Sequence, residues 1–299
     1  MTATADRPAR TEAAERAERR RRRVPYLLLA PGLLWLLVFY VIPMFQLGTT
    51  SLQEGTLETG YRFTGNVESW TSVFTTYLPQ LRNSLLFAFG ATAIGLLVAY
   101  PLAYAIAFYT GRWKGLFLSL LLVPLLVPFL LRTLAWRVIL ADQGVIVSTL
   151  QTLGILPDAT GRLLSTGWAV LAGLIYNYLA FMTLPIYVAL DKIEPRLLEA
   201  ANDLYANPWT AFRKVTLPLS MPGVISGTLL TFIPAAGDYV NVDLLGNRTW
   251  TMMGNVIQSK FLVIVDYPAA AAISLTLMAI VVTMVVVYVR RVGTEELLQ

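Results

Sequence analysis

The chain has 299 residues, 56% of them hydrophobic and only 14% charged, with a mean hydropathy of +0.62; soluble domains carry about a quarter charged residues, so most of this chain reads as membrane. It contains no Cys and no His, which excludes disulfides, thiol nucleophiles, His-ligated metals and imidazole acid–base chemistry. The net charge of +5 is no nucleic-acid signal, because residues 1–23 hold eight Arg against four acids while the rest carries 15 basic and 14 acidic residues.

Taken in order, the basic tail 1–23 ends in the unbroken run Arg19–Arg23 and reads as a cytoplasmic anchor. Six apolar stretches follow, against a need of ~20 residues to cross ~30 Å of hydrocarbon. They are Val24–Leu47, Leu81–Tyr109, Leu116–Leu140, Gly167–Leu190, Pro222–Tyr239 and Pro268–Val289, the fifth being the shortest. The first is too long for the apolar part of a signal peptide and no small-residue cleavage site follows it, so it reads as an uncleaved helix. Arg112 and Lys114, then Lys192, Arg196, Arg213 and Lys214, then Arg290 and Arg291 fall in alternate loops; the opposite loops hold only Arg62, Arg162, and Arg248 with Lys260. That alternation predicts both termini inside. The expectation is an all-α polytopic membrane protein with a cytoplasmic tail 1–23, a six-span domain 24–289 and a cytoplasmic tail 290–299. Loop 48–79, rich in Thr, Gly and Glu, is expected outside as a small folded cap, and loop 191–219 inside.

Loop 191–219 carries a pattern of its own. Pro195 suits a helix start, where its missing N–H costs nothing. Leu197, Leu198, Ala201 and Leu204 form an apolar stripe at helical spacing, and Glu199 and Asp203 lie one turn apart on a neighbouring face. Asn207-Pro208 breaks the helix, since a residue before Pro avoids the α region. A second short segment, Trp209 to Val215, is expected to end at Pro218, where span five begins. Two short helices with a bend make a rigid knob, which transmits a push as a floppy loop cannot; the plainer reading is a charged loop with interfacial helices. The run from Glu199-Ala200-Ala201 through Asp203, Tyr205, Ala206 and Phe212 to Leu217-Pro218 resembles the EAA loop of ABC-transporter permeases, the segment that docks into a separate ATPase subunit.

A wider resemblance rests on Val123-Pro124, Leu131-Arg132-Thr133, Ala135-Trp136 and Gly144-Val145, on Pro234-Ala235-Ala236-Gly237-Asp238-Tyr239 with Asp243-Leu244-Leu245-Gly246, and on Gly254-Asn255-Val256-Ile257 with Phe261. These stretches are similar to spermidine/putrescine importer permeases over nearly the whole chain after the basic tail. Two positions depart: Tyr205 stands where the EAA loop usually has Gly, and Asn247 where Gly often follows the Leu-Leu-Gly stretch. Gly permits positive φ and Tyr does so only at a cost, so the bend is expected nearer Asn207. The resemblance implies a type I import permease in a bacterial cytoplasmic membrane. It would work with a second, different permease chain, two ATPase subunits that bind ATP and Mg, and an extracytoplasmic substrate-binding protein. Independently, the sequence has no Gly-x-x-x-x-Gly-Lys-Ser/Thr loop, and neither a catalytic residue nor a metal ligand is assigned.

Charges within spans are functional candidates. Arg132 and Asp238 each lie sixteen residues into a span, ~24 Å up at 1.5 Å per residue, so an Arg132–Asp238 ion pair is one reading and solvation at the outer interface the other. A polyamine needs carboxylates for its ammoniums and aromatic faces for cation–π and methylene contact. Asp238 and Asp243 supply the first, and Trp136, Tyr176, Tyr178 and Tyr239 are candidates for the second, with Asn177 as a polar group near mid-membrane; helix packing or an interfacial belt is the plainer role for each aromatic. Pro124, Pro128 and Pro234 are expected to interrupt their spans and free carbonyls. A permease for a quaternary amine, a phosphonate or ferric ion is the alternative within transporters. A membrane-embedded transferase fits less well, given the missing His and Cys and the scarcity of paired carboxylates within spans.

Overall fold

The computed structural model describes residues 28–154, 163–204 and 207–292. The basic tail 1–23, residues 293–299 of the C-terminal tail, and Tyr205 and Ala206 of the bend lie outside them. Five helices among the described residues are long and apolar enough to cross a membrane, and a sixth crossing results when one bent pair counts as a single span.

The first, α1 (Leu28–Thr50), passes through a wide π-turn at Leu37–Val41, where the N–H of Ile42 reaches back to Leu37 and so skirts Pro43. None of its apolar window is buried inside the chain, and its last turns, Ile42–Thr50, approach the final described helix, α12 (Tyr267–Val292). A two-residue antiparallel hairpin follows, β1 (Gln53–Glu54) on β2 (Arg62–Phe63), with α2 (Glu68–Thr75) behind it. These elements form a small ordered unit within 48–79.

Three helices make the centre: α3 (Leu78–Phe108), α7 (Gly167–Asp191) and α9 (Pro208–Ala236). Helices in a bilayer gain nothing from apolar burial alone, so close approach through small residues drives their packing. Gly223 and Gly227, one turn apart on α9, face the carbonyls of Pro185 and Met182, where an added Cβ would come within 2.5 and 2.7 Å. Ala99 and Ala103 of α3 bury against Met182, Ile186 and Leu190 of α7. A second core gathers Phe87, Leu174, Leu245, Met252, Met253, Ile273 and Leu277 towards the other end.

Three sequence expectations are corrected. Span three is not one straight crossing. Helix α4 (Lys114–Leu122) tightens into a 3₁₀ turn at Val123–Leu126, Val127 and Pro128 are extended, and α5 (Phe129–Leu140) leaves at 95° and leads into α6 (Val145–Thr152). Pro124 and Pro128 break the ladder as their missing N–H groups require, and the straight-helix depth assigned to Arg132 falls with it. Span five does not begin after Pro218: α9 runs from Pro208 and absorbs Pro218 through a π-turn at Phe212–Thr216, in which Leu217 N–H bonds to Phe212. The stretch after Tyr239 is not a simple outer loop. It folds as α10 (Val240–Leu245) and α11 (Met253–Gln258), and Leu245, Met252 and Met253 are wholly buried before α12 (Tyr267–Val292) closes the bundle.

Candidate functional site

Two places gather the singled-out residues. The first is the bend between α8 (Pro195–Leu204) and α9. Glu199, Ala200, Asp203, Leu197 and Leu204 are all exposed, so this helix offers an acidic face and apolar side chains left uncovered among the described residues. Asn207 is extended (φ −114°, ψ 117°), and its Oδ1 accepts the Trp209 N–H at 2.9 Å, capping α9. Asn207 thus caps the start of α9, while Tyr205 and Ala206 of the bend lie outside the described residues. Phe212 is anchored from beneath: Trp209 stacks on it at 5.4 Å, and Tyr100 and Tyr104 of α3 meet it edge-on at 5.8 and 6.1 Å. The Tyr100 hydroxyl pairs with Ser220 Oγ at 2.8 Å. Pro218 is exposed on the first turn after the π-turn.

The second place is the break between α9 and α10. Asp238 is 6% exposed and its carboxylate is saturated: Oδ1 accepts the Asn241 N–H at 2.9 Å, while Oδ2 accepts Asn241 Nδ2 at 3.0 Å and the Tyr178 hydroxyl at 3.5 Å. Asp238 thus caps α10, satisfying a backbone donor that the break would orphan at membrane depth. Asn177, fully buried, donates through Nδ2 to Thr133 Oγ1 at 3.1 Å and to Asn241 Oδ1 at 3.2 Å. Arg132, 8% exposed, reaches the Asn177 carbonyl at 3.5 Å and lies over the Phe129 ring at 5.8 Å. Arg132 and Asp238 form no direct ion pair: Arg132 bonds to the main-chain carbonyl of Asn177, while the side chains of Asn177 and Asn241 lead on to Asp238. Gly173 makes room for this relay: a Cβ there would meet Asn241 Oδ1 at 2.6 Å and Leu245 at 2.5 Å.

Asp243 differs from Asp238. It is exposed, and Asn255 Nδ2 holds its Oδ1 at 2.6 Å while also donating to the Tyr239 carbonyl at 3.0 Å. Asn255 Oδ1 accepts the Met252 N–H at 3.0 Å, so one amide ties α10 to α11. The Tyr239 ring is exposed. Trp136 and Tyr176 meet edge-to-face at 5.4 Å, and α10 packs against the helices that bear them. Asn247 is extended (φ −144°), a conformation open to any residue, and its amide reaches the Ser165 carbonyl at 2.6 Å; glycine is not required there.

The amides Asn83, Asn241 and Asn255 were not singled out from the sequence. The cue was available, since an amide in an apolar stretch has the same need for partners as a charge. Outside the spans, Lys260 pairs with Asp266 at 2.8 Å; burial, the largest single influence, would lower the lysine pKa, but the hydrogen bond and charge of Asp266 together with Tyr77 leave it raised.

Comparison with known proteins agrees with this architecture. Residues 91–292 match the family model described as binding-protein-dependent transport system inner membrane component. The chain is 37% identical over 257 residues to the spermidine/putrescine transport system permease protein PotB of Haemophilus influenzae, covering 86% of this chain and 90% of that protein. Its identity to the protein of the same name from Escherichia coli K12 is 34%, over 86% and 93%. A shorter stretch of 73 residues is 40% identical to the permease protein PotC of H. influenzae, covering 24% and 28%. A bacterial ABC transporter that imports the acidic polysaccharide alginate shares the fold, with a TM-score of 0.72 at 18% identity over 90% of this chain and 95% of that one. With two thirds of its length inside the family model and the fold of an ABC importer permease, the chain belongs to the family of binding-protein-dependent transport system inner membrane components.

Proposed function

We propose that this chain is a permease subunit of a type I ABC importer that takes up polyamines by alternating access across a bacterial cytoplasmic membrane. The observation that carries the substrate class is the 37% identity, over 86% of the chain, to a permease named for spermidine and putrescine. The exposed carboxylate of Asp243 beside the exposed Tyr239 ring supports it, because an ammonium takes a carboxylate and its methylenes take an aromatic face. Asp243, Tyr239, Trp136 and Tyr176 then line the path, while Asp238, Asn177 and Arg132 hold the break that shapes it.

Both termini lie inside, and α8 with the start of α9 forms the docking knob: Glu199, Ala200, Ala201, Asp203, Tyr205, Ala206, Phe212 and Pro218 meet an ATPase subunit. ATP and Mg belong to two such ATPase subunits. The second permease is a different chain related to this one, in line with the partial likeness to PotC, and an extracytoplasmic binding protein delivers the solute. The test is ATP-dependent uptake of labelled spermidine and putrescine by the complex in proteoliposomes, with Asp243→Asn beside wild type. Uptake by wild type that falls at least about tenfold in Asp243→Asn, as for a lost charge-assisted contact, supports the reading. An intact, ATP-hydrolysing complex that moves neither polyamine overturns the substrate.

A further inference from the structure

Helix α3 touches both places described above. It is 31 residues long, ~46 Å at 1.5 Å per residue. Near one end Tyr100 and Tyr104 grip Phe212, and the Tyr100 hydroxyl reaches Ser220. Near the other end lie two buried polar side chains, Asn83 (7% exposed) and Ser84 (fully buried). Asn83 Nδ2 donates to the carbonyls of Thr249 and Thr251 at 3.1 and 3.0 Å, and Ser84 Oγ accepts the Met253 N–H at 2.9 Å. One turn on, Phe87 meets the Trp250 ring edge-on at 5.9 Å.

Residues 246–252 connect α10 to α11 through a 3₁₀ turn at Arg248–Trp250, and Met253 opens α11. Non-helical backbone inside a membrane protein has to be satisfied by protein groups, and α3 does that here. The same segment leads directly into Asn255, the amide that holds Asp243. Between Ser84 and Tyr100 no proline interrupts α3; Pro101 sits at the aromatic grip itself.

We propose that α3 is the strut joining the docking knob to the inserted segment, with Asn83 and Ser84 as positioning residues at its far end and Tyr100 at its near end. This rests on the reading of the knob as the ATPase contact. A push on the knob moves Phe212, Phe212 moves α3, and Asn83 and Ser84 carry residues 249–253 with it, so the Asn255–Asp243 pair shifts as the ATPase cycles. Helix α9 gives a second route, but one interrupted at Gly237, where α9 ends before Asp238.

The test measures ATP hydrolysis and polyamine uptake in the same proteoliposomes, for the complete complex carrying Asn83→Ala, Ser84→Ala, Asn83→Gln, Tyr100→Leu, Asn83→Ala with Tyr100→Leu, or Glu199→Ala. Asn83→Ala is expected to lower uptake per ATP about tenfold with hydrolysis kept, and Ser84→Ala somewhat less, the size of one or two lost hydrogen bonds. Asn83→Gln, which keeps a two-donor amide, is expected to recover part of the ratio. Because the two ends act in series, the double variant is expected to lose less than the product of the single losses. An unchanged ratio in Asn83→Ala and Ser84→Ala overturns the strut, as does a parallel fall of hydrolysis and uptake in step with the amount of assembled complex. A Glu199→Ala complex that hydrolyses ATP and transports as wild type instead removes the knob reading itself, whatever Asn83 does.

Discussion

The chain interrupts its helices in two contrasting ways. Between α8 and α9 the flanking residues Asp203, Leu204, Asn207 and Pro208 are exposed, and Asn207 caps α9. At 237–255 the turning points at Asp238, Asn241, Leu245 and Met252–Asn255 are buried and are held by hydrogen bonds from Asn177, Asn241 and Asn255, while Tyr239, Asp243 and Asn247–Trp250 stay exposed. On the proposed reading, the open break is a contact for another subunit and the amide-held break a shaped wall. The same local event, a helix that stops, serves two ends because its surroundings differ.

Substitutions at the sealed break are expected to act on the fold. Gly254→Val has the largest effect: a Cβ at 254 would lie 2.5 Å from the Gly237 carbonyl and 2.8 Å from that of Asp238, backbone atoms that cannot swing aside. A loss of about 3 kcal/mol is expected, read as a lowered thermal midpoint of the detergent-solubilised complex. Asp238→Asn comes next. An amide cannot accept everything that Asn241 and Tyr178 donate, so about 1–3 kcal/mol is expected, seen in the same unfolding measurement. At the open break the pattern inverts. Leu204→Glu is expected to leave the chain's stability within about 0.5 kcal/mol yet to cut ATPase-subunit retention on affinity purification about tenfold, as for a contact at the centre of an interface. If Leu204→Glu unfolded the chain, or Asp238→Asn spared it while releasing the ATPase, the contrast would fail.

The smallest effect belongs to Lys260–Asp266, which is neither sealed nor open. Asp266→Asn is expected to cost at most about 1 kcal/mol, since the pair is partly solvated. The raised lysine pKa sets the sign: the contribution is complete below the ordinary value of 10.5 and is lost as pH rises through the folded one. Unfolding midpoints of wild type and Asp266→Asn should therefore keep the same gap across neutral pH and converge only in alkali.

The crossings were legible because length and apolarity alone specify them, and the short helix Pro195–Leu204 because Glu199, Asp203 and the apolar residues at helical spacing stand out against an apolar chain. The 95° turn in span three was legible only as two prolines; its angle depends on what α5 packs against, which no local pattern states. The inserted segment was hidden for a different reason. Arg248 and Lys260 made it look like outer loop, whereas its burial is decided by Leu245, Met252 and Met253 filling space between α3 and α7. At the site, Asp238 and Asp243 were read as equals, although one carboxylate is consumed by its own backbone and the other left open. Sequence spacing does not distinguish them.

The π-turn at 212–216 sets the phase between knob and crossing. Each residue of an α-helix advances the azimuth by about 100°, and a wide turn inserts one residue without lengthening the hydrogen-bonded ladder. Deleting a single residue there would restore a regular helix and rotate the preceding segment by roughly that angle about the α9 axis, disturbing the contact of Phe212 with Tyr100 and Tyr104 of α3. Point substitutions cannot produce that rotation, so the orientation of the contact is protected against ordinary mutational drift and open to change only by insertion or deletion.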